Sequence, residues 1–562
     1  MTPGAAIATV LLFAAGAARA DEAPAAPPKR VYETRVRGSR EKREPAETTI
    51  RADEARRVAG TQGDALKVVE DLPGVARASL GSAQLVVWGS APEDTRVLVD
   101  GLEIPSLYHL GGLRSTVNGE LVRSLSFSPG GFGAPYGRGL GGLVRAETRA
   151  LPAEGVHGYA GADLLDASAL VTAAIGKRLR VGVAGRYSYL DRIFGGLLRP
   201  DTADYFPIPR YDDYQLKATL ALRTDEELSL LFLAADDHLR RTVSSTDPAH
   251  ARSDSTDASS YRVAVRYSRV FADGARAEAA PFFGYDQRRQ STNFGAVPSL
   301  LDVRSFRYGA RAEYRRVLAP WAVLGVGADV LGTRASVVRF GSLASPPREG
   351  DRYVFGQPPG GDVGAERFHV HVLDAAPWIS AELRFGPVTV APGVRVDAWL
   401  IEGDQARPPS GDTPIPGFQR LEWSIDPRLH VAWRAHSRVT LEAACGLYHQ
   451  APEPQDLGAA FGNPLLGVAR ALHVTAGADV RLTGALTAEA IGFYKQLDDL
   501  ASRSPLASPP VAAALEQDGA GRAYGGQVLV RQESWRGLTG WISYTLSRAE
   551  RRDHPGSPWR LF

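Results

Sequence analysis

Residues 129–142 read Pro-Gly-Gly-Phe-Gly-Ala-Pro-Tyr-Gly-Arg-Gly-Leu-Gly-Gly, and seven of the thirteen residues from Gly130 to Gly142 are glycine. Glycine lets a backbone take positive φ and lie against neighbouring backbone where a side chain would collide. Such a run belongs where the chain is tightly confined. The confining wall is announced downstream, because from about Val156 the sequence becomes a long series of amphipathic strands without a helical period. The spacing of Gly137, Gly139 and Gly142 also satisfies a G-x-G-x-x-G dinucleotide turn, but that turn needs a helix after it. Leu143 to Thr148 alternates like a strand instead, which argues against nucleotide binding.

Other phrases surround the glycines in order. Gly63 to Leu72 carries an apolar stripe at Ala65, Leu66, Val69 and Leu72 and stops at Pro73-Gly74, as a helix would. Gln84–Trp88 and Arg96–Val99 read as strands, and Asp100-Gly101 is a tight-turn signal before Leu102-Glu103-Ile104. Glu120–Arg123 suits one helical turn, and Leu125-Ser126-Phe127 alternates into the glycines. Together these pieces describe a small mixed α/β domain of about a hundred residues, within the usual range for a compact unit.

The phrases Asp71-Leu72-Pro73-Gly74-Val75, Val87-Trp88-Gly89-Ser90, Val97-Leu98-Val99-Asp100-Gly101, Pro129-Gly130, Tyr136-Gly137 and Gly141-Gly142-Leu143-Val144 resemble the plug domain of TonB-dependent outer-membrane receptors. Trp88 departs from the pattern, which usually has arginine there. Looser resemblance continues in Gly446–Pro452, Phe461–Pro464 and Arg522–Gly526. The resemblance implies a transmembrane antiparallel β-barrel with an N-terminal mixed α/β plug inside it. It also implies active uptake of a scarce extracellular substrate across the cell outer membrane, without catalysis and without a cofactor.

Composition agrees with that class. Lysine and arginine number 65 against 63 acidic residues, so the balance gives no argument for a nucleic-acid partner. Fifty-nine glycines and 38 prolines are too many for a helical protein, and 44% hydrophobic residues too many for disorder. Cys445 is the only cysteine, so no disulfide staples the fold. Residues 1–20 have an apolar centre from Ala5 to Ala17 and end in Ala18-Arg19-Ala20, the pattern of a secretory signal. No other run approaches the roughly 20 apolar residues of a spanning helix, so contact with outer-membrane lipids falls to strands.

Residues 21–44 follow as a periplasmic linker, rich in alanine and proline up to Arg30. Tyr32, Glu33, Thr34, Arg35 and Val36 form a short extended segment before a charged run. The resemblance makes these five residues the candidate TonB box, where a TonB-type periplasmic energy-coupling protein adds a strand. The plug is assigned to residues 45–150 and the barrel to 156–562.

In the barrel region, Leu179, Val181, Val183, Tyr187 and Tyr189 oppose Arg180, Arg186 and Ser188. Tyr261, Val263, Val265 and Tyr267 likewise oppose Arg262, Ala264, Arg266 and Ser268. An apolar face with tyrosines near its ends, backed by a polar face, suits a barrel with a wet interior. The surplus of arginine on the inner face is compatible with anionic substrates. Short connections such as Ala272-Asp273-Gly274 and Gly386-Pro387 alternate with long ones at Asp191–Arg210, Arg240–Asp257, Arg288–Leu301, Arg339–Arg367, Glu402–Gly417, His449–Arg470 and Ser502–Gly521. The long ones are expected to be mobile and to face outward. About 17 strands are visible, against 22 in the family, and outer-membrane barrels of single bacterial chains have even strand numbers. Pro555–Phe562 is a poor last strand, so the barrel reads as incomplete at its C-terminus, with about five strands missing.

Ligand-like chemistry concentrates in Ile104–Gly112, where Tyr108 and His109 are the candidate substrate contacts at the plug apex. His369 and His371 share a strand face but lack a third ligand of matching spacing, so no metal site is assigned. Asp236-Asp237-His238 reads as a solvated rim. No G-x-S-x-G nucleophile turn occurs. A surface ligand-binding or adhesion barrel without uptake, or a barrel hydrolase, remains the alternative.

Overall fold

The computed structural model describes residues 46–77, 83–197, 208–243, 245–248, 251–295, 297–343, 361–408, 415–506, 509–535 and 537–562. The signal, the linker and the segment Tyr32–Val36 lie outside the described residues.

The N-terminal unit is built on strands β1 (Thr48–Arg51), β4 (Arg96–Val99), β5 (Leu102–Ile104), β6 (Val122–Ser128) and β7 (Leu143–Thr148), in the order β1-β6-β7-β4-β5. Only the β4–β7 pair is parallel. A separate ribbon pairs β2 (Val75–Arg77) with β3 (Leu85–Val87). Ile50, Val99, Val122, Phe127 and Val144 are buried together in its core. The β4–β5 hairpin turns where Asp100 (φ 49°) and Gly101 (φ 79°) both take positive φ, the requirement that makes Asp-Gly a turn sequence.

The expected helix after Gly63 is a 3-10 helix, Ala65–Asp71. Asp64 caps it, accepting from Leu66 N at 3.1 Å. The same carboxylate accepts from the Ser115 backbone N at 2.7 Å. Seven residues are long for this geometry. Packing that buries both Val68 and Val69, neighbours that an α-helical stripe would separate, accompanies the tighter pitch.

The remaining strands form one antiparallel barrel sheet. They are β8 (Val156–Ala162), β9 (Asp166–Ile175), β10 (Leu179–Ser188), β11 (Pro209–Ala221), β12 (Glu226–Val243), β13 (Arg252–Val270), β14 (Arg276–Phe294), β15 (Val297–Ala319) and β16 (Ala322–Ser342). They continue as β17 (Val363–Phe385), β18 (Val388–Gly403), β19 (Phe418–His436), β20 (Val439–Gln450), β21 (Ala469–Arg481), β22 (Leu486–Arg503), β23 (Leu515–Trp535), β24 (Leu538–Arg552) and β25 (Arg560–Leu561).

Among the described residues, eighteen strands follow in chain order around the barrel, against about 17 read by alternation and 22 expected from the family. The seam is slight. Two residue pairs join β25 to β24, and β8 is exposed at all seven positions.

Alternation sorts the two faces as read: Arg262 is buried toward the interior while Tyr261 and Val265 are exposed. Ile542 and Leu546 remain 75% and 68% exposed in the body of β24, which suits lipid and not water. No described helix is long and apolar enough to cross a membrane.

Several long connections differ from expectation; Arg240–Asp257, for one, carries the paired ends of β12 and β13 at 240–243 and 252–257. Arg288–Leu301 is mostly strand, with β14 and β15 continuing to Phe294 and Val297. His449–Arg470 does not face outward: Leu457 and Leu466 are buried with Val337, Phe368, Trp399 and Ile401 on the wall. Burial against the wall removes these two leucines from water, while Leu465 between them stays 75% exposed.

Candidate functional site

The glycine run threads between the plug and the wall, and several of its glycines leave no room for a Cβ. A Cβ on Gly139 would meet Asp94 O at 2.8 Å, and one on Gly141 the Asp94 carbonyl carbon at 2.9 Å. A Cβ on Gly130 would meet the Trp88 ring at 2.8 Å. The wall grips the run by its backbone. Arg428 donates to the carbonyls of Phe132 (3.3 Å), Gly133 (2.6 Å) and Tyr136, and the Tyr448 hydroxyl donates to Phe132 O at 2.8 Å. His473 Nε2 donates to Leu140 O at 3.0 Å, while its Nδ1 accepts from Gly131 N at 3.3 Å. A carbonyl can only accept and an amide can only donate, so these bonds select the neutral tautomer.

Trp88, the departure from the family pattern, stacks on Phe493 of β22 with ring centroids 4.0 Å apart and planes 4° from parallel. Its indole N donates to Gln527 Oε1 at 3.0 Å. An aromatic anchor occupies the place of the usual arginine.

Tyr108 and His109 lie together at the plug apex, and both are buried. The Tyr108 hydroxyl donates to Leu66 O at 3.0 Å, within the plug. His109 instead reaches the wall. Its Nδ1 is 3.0 Å from Asp237 Oδ1 of β12, its Nε2 is 3.1 Å from Asp213 Oδ2 of β11, and its ring stacks on Tyr211 at 4.6 Å. Both partners are carboxylates, so both nitrogens serve as donors and the ring is an imidazolium. Burial alone would lower its pKa, but Asp237 and Asp213 outweigh burial and lift it to about 9. Arg186 donates to Asp213 Oδ2 at 2.6 Å and also holds Ser115 O, and Leu110 N donates to Asp237 Oδ1 at 3.0 Å.

Across the lumen the contacts are ionic. Arg138, inside the glycine run at φ 64°, pairs with Asp329 (2.8 Å) and Asp374 of the wall. Glu103 of β5 meets Arg307 at 3.2 Å and Arg96 at 3.5 Å. Burial would raise the Glu103 pKa; Arg307, Arg96, Arg138 and Arg262 hold it down at about 2. A small cavity opens there, lined by Glu103, Arg138, Arg262, Arg307, Arg311 and Asp329 among others.

The β20–β21 connection covers this region. Beyond its 3-10 turn, Pro454–Leu457, the connection is pinned to the wall where Ala460 N donates to Glu366 Oε2 at 2.9 Å, Gly467 N to Gln517 Oε1 at 2.5 Å and Val468 N to Glu422 Oε2 at 2.9 Å.

Sequence reasoning missed the partners. Asp237 was read as part of a solvated rim, yet it faces inward and holds the apex, whereas Asp236 accepts from Tyr261 (3.0 Å) and His238 pairs with Asp257. Strand parity is the signal that separates Asp237 from its neighbours. His369 and His371 are occupied by Asp404 (2.8 Å) and Glu402 (3.2 Å). Among the described residues no group of three or more His, Cys, Asp or Glu is placed to hold a metal ion.

None of the curated proteins matches this sequence. A family model described as TonB dependent receptor-like, beta-barrel, matches residues 168–560. Among solved structures, the chain is similar to the ferric citrate transporter FecA in its unliganded form (17% identity, 90% of this chain and 78% of that one, TM-score 0.67). It is also similar to the FrpB iron transporter from Neisseria meningitidis (16%, 92% and 81%, 0.66). A third likeness is to the copper transporter OprC (14%, 91% and 82%, 0.66). At such identities the likeness shows the fold.

Proposed function

The chain belongs to the TonB-dependent receptor family, an outer-membrane β-barrel receptor and not an enzyme, and on that premise we propose that it imports a scarce substrate by energy-coupled rearrangement of its plug. The observation that carries this reading is the character of the plug–wall boundary. A five-stranded sheet that shares no strand pairing with the barrel packs against its wall, and much of its attachment is by ion pairs and hydrogen bonds, such as His109 to Asp213 and Asp237 and Arg138 to Asp329. Polar contacts of this kind exchange with water when a force separates them, so the plug can move and return.

In this reading substrate enters from outside, displaces the β20–β21 connection and reaches the plug apex around Tyr108 and His109. An inner-membrane complex then pulls through a TonB-type protein that pairs with Tyr32–Val36, and the plug yields a path. Iron and copper chelates are the class suggested by the names of the similar transporters.

Deleting residues 31–36 tests the coupling. Surface binding of a transported chelate persists while its accumulation in the cell stops; accumulation that continues at the wild-type rate contradicts the coupling.

A further inference from the structure

Proline has no N–H to give a strand ladder, and within a sheet it is confined as a rule to edges and bulges. This wall carries one inside each of three consecutive strands, Pro377 of β17, Pro392 of β18 and Pro427 of β19, all exposed on the lipid-facing side. Their effect on the ladders is direct. β17 and β18 pair in three separate runs, 370–375 with 398–403, 378–380 with 393–395 and 383–385 with 388–390. One interruption holds Pro377 and the other Pro392. The register is the same in all three runs, so these are gaps and not bulges, which would shift it. Between β19 and β20 the ladder ends at Arg428, next to Pro427. The β16–β17 and β18–β19 ladders on either side run unbroken across the same rows. A single gap of this kind occurs at Pro281 in the β13–β14 ladder.

The lumen side of the same stretch is where the wall grips the glycine run. A Cβ on Gly137 would collide with Arg395 Nε, and one on Gly393 would meet Ala134 Cβ at 2.8 Å. Arg138 reaches Asp374 of β17, and Arg428 of β19 holds the carbonyls of Phe132, Gly133 and Tyr136. Bonding is incomplete here too. The Trp378 indole N, both terminal nitrogens of Arg395 and Asp374 Oδ1 have no hydrogen-bond partner among the described residues. Buried polar groups are almost always paired, and a backbone group facing lipid finds no water to replace a missing partner. Unmade bonds therefore gather in one part of the wall, on its ladder and on its inner face. Where hydrogen bonding is thin, a structure opens locally while better-bonded parts stay shut.

We propose that β17–β18 is a yielding panel of the wall. Its strands part locally at the two proline gaps, so the face that holds the glycine run gives way when the run moves, while the ladders on either side keep the barrel closed. The occasion for that movement rests on the uptake reading; the panel itself is a property of the fold.

Hydrogen exchange on the purified full-length protein in detergent tests it. In wild type, the amides of Ala375–Leu383 and Val388–Ala398 exchange about tenfold faster than those of Ala310–Val317 and Val323–Val330, which lie in the same rows of the unbroken part of the β15–β16 ladder. Pro377→Ala combined with Pro392→Ala restores two donors and slows the panel several-fold toward the β15–β16 rates. Pro281→Ala, at the other gap, leaves the panel unchanged. Arg138→Gln removes the grip on Asp374 and speeds exchange in the panel several-fold, with β13–β14 unchanged. Panel rates equal to those of β15–β16 in wild type, rates unmoved by the double substitution, an equal effect of Pro281→Ala, or no response to Arg138→Gln overturns the proposal. Those results leave the uptake reading standing, whereas uptake that survives loss of residues 31–36 overturns that reading and leaves the panel standing.

Discussion

His109 of the plug and Asp237 of the wall, 128 positions apart in the chain, meet at 3.0 Å with no water-accessible surface on the histidine. The second carboxylate, Asp213, closes the ring's other nitrogen. One side chain thereby ties the plug apex to two adjacent barrel strands.

Removing it leaves the fully buried Asp213 with Arg186 as its paired cation, and the partly buried Asp237 without its imidazolium. Breaking a buried ion pair from one side costs about 3–5 kcal/mol, and we expect His109→Ala to weaken apex docking by roughly that amount. Hydrogen exchange across Ile104–Thr116 reads the effect as faster exchange there, with the barrel strands unchanged. Protection equal to wild type would show that the apex is held elsewhere.

The same latch is sensitive to pH. The folded pKa of about 9 lies above the ordinary value of 6.5, so folding favours the protonated ring. Its contribution is complete below about pH 6.5 and is lost as pH rises through about 9. Exchange in Ile104–Thr116 therefore accelerates between those values in wild type. His109→Gln, which cannot titrate, shows a flatter profile over the same window; identical profiles would remove the imidazolium from the account.

Two glycines separate backbone confinement from mere flexibility. Gly141→Ala drives a methyl group against the Asp94 backbone, which cannot swing aside, and is expected to cost about 1–3 kcal/mol of plug stability. Gly161→Ala meets nothing within 4 Å and is expected to be neutral. Urea denaturation of the two variants checks the contrast, and equal midpoints would contradict it.

Trp88 offers a test of the aromatic anchor. Trp88→Phe keeps a ring against Phe493 but loses the hydrogen bond to Gln527, a loss of about 1 kcal/mol. Trp88→Ala also loses the stack and the buried surface, and should cost about 3–5 kcal/mol. The ordering of plug unfolding midpoints, wild type above Phe above Ala, is the readout.

Much of this architecture was legible because it is local. The Asp100-Gly101 hairpin needs only its own four neighbours, and parity along β13 assigns Tyr261 outward and Arg262 inward without knowledge of any other strand. The glycine run announced confinement, since seven glycines in thirteen residues have little other use.

What confines it was not legible: Arg428, Tyr448 and His473 lie about 300 positions away, on strands whose order around the barrel decides which side chains meet the plug. The same distance hid Asp213 and Asp237 from His109. His449–Arg470 misled for a different reason, because its proline and glycine content describes a connection in water or inside a lumen equally well. Only the burial of Leu457 and Leu466 distinguishes the two.

The central claim is that the segment Tyr32–Val36 couples the plug to an energised partner. Site-specific photocrosslinking in living cells, with the reactive group placed at Thr34, tests it without knowledge of the substrate. The account predicts a covalent adduct that contains the TonB-type protein and is absent when the group sits at buried Val99 of the plug. No adduct from Thr34, nor from any of the other four positions of the segment, would contradict it.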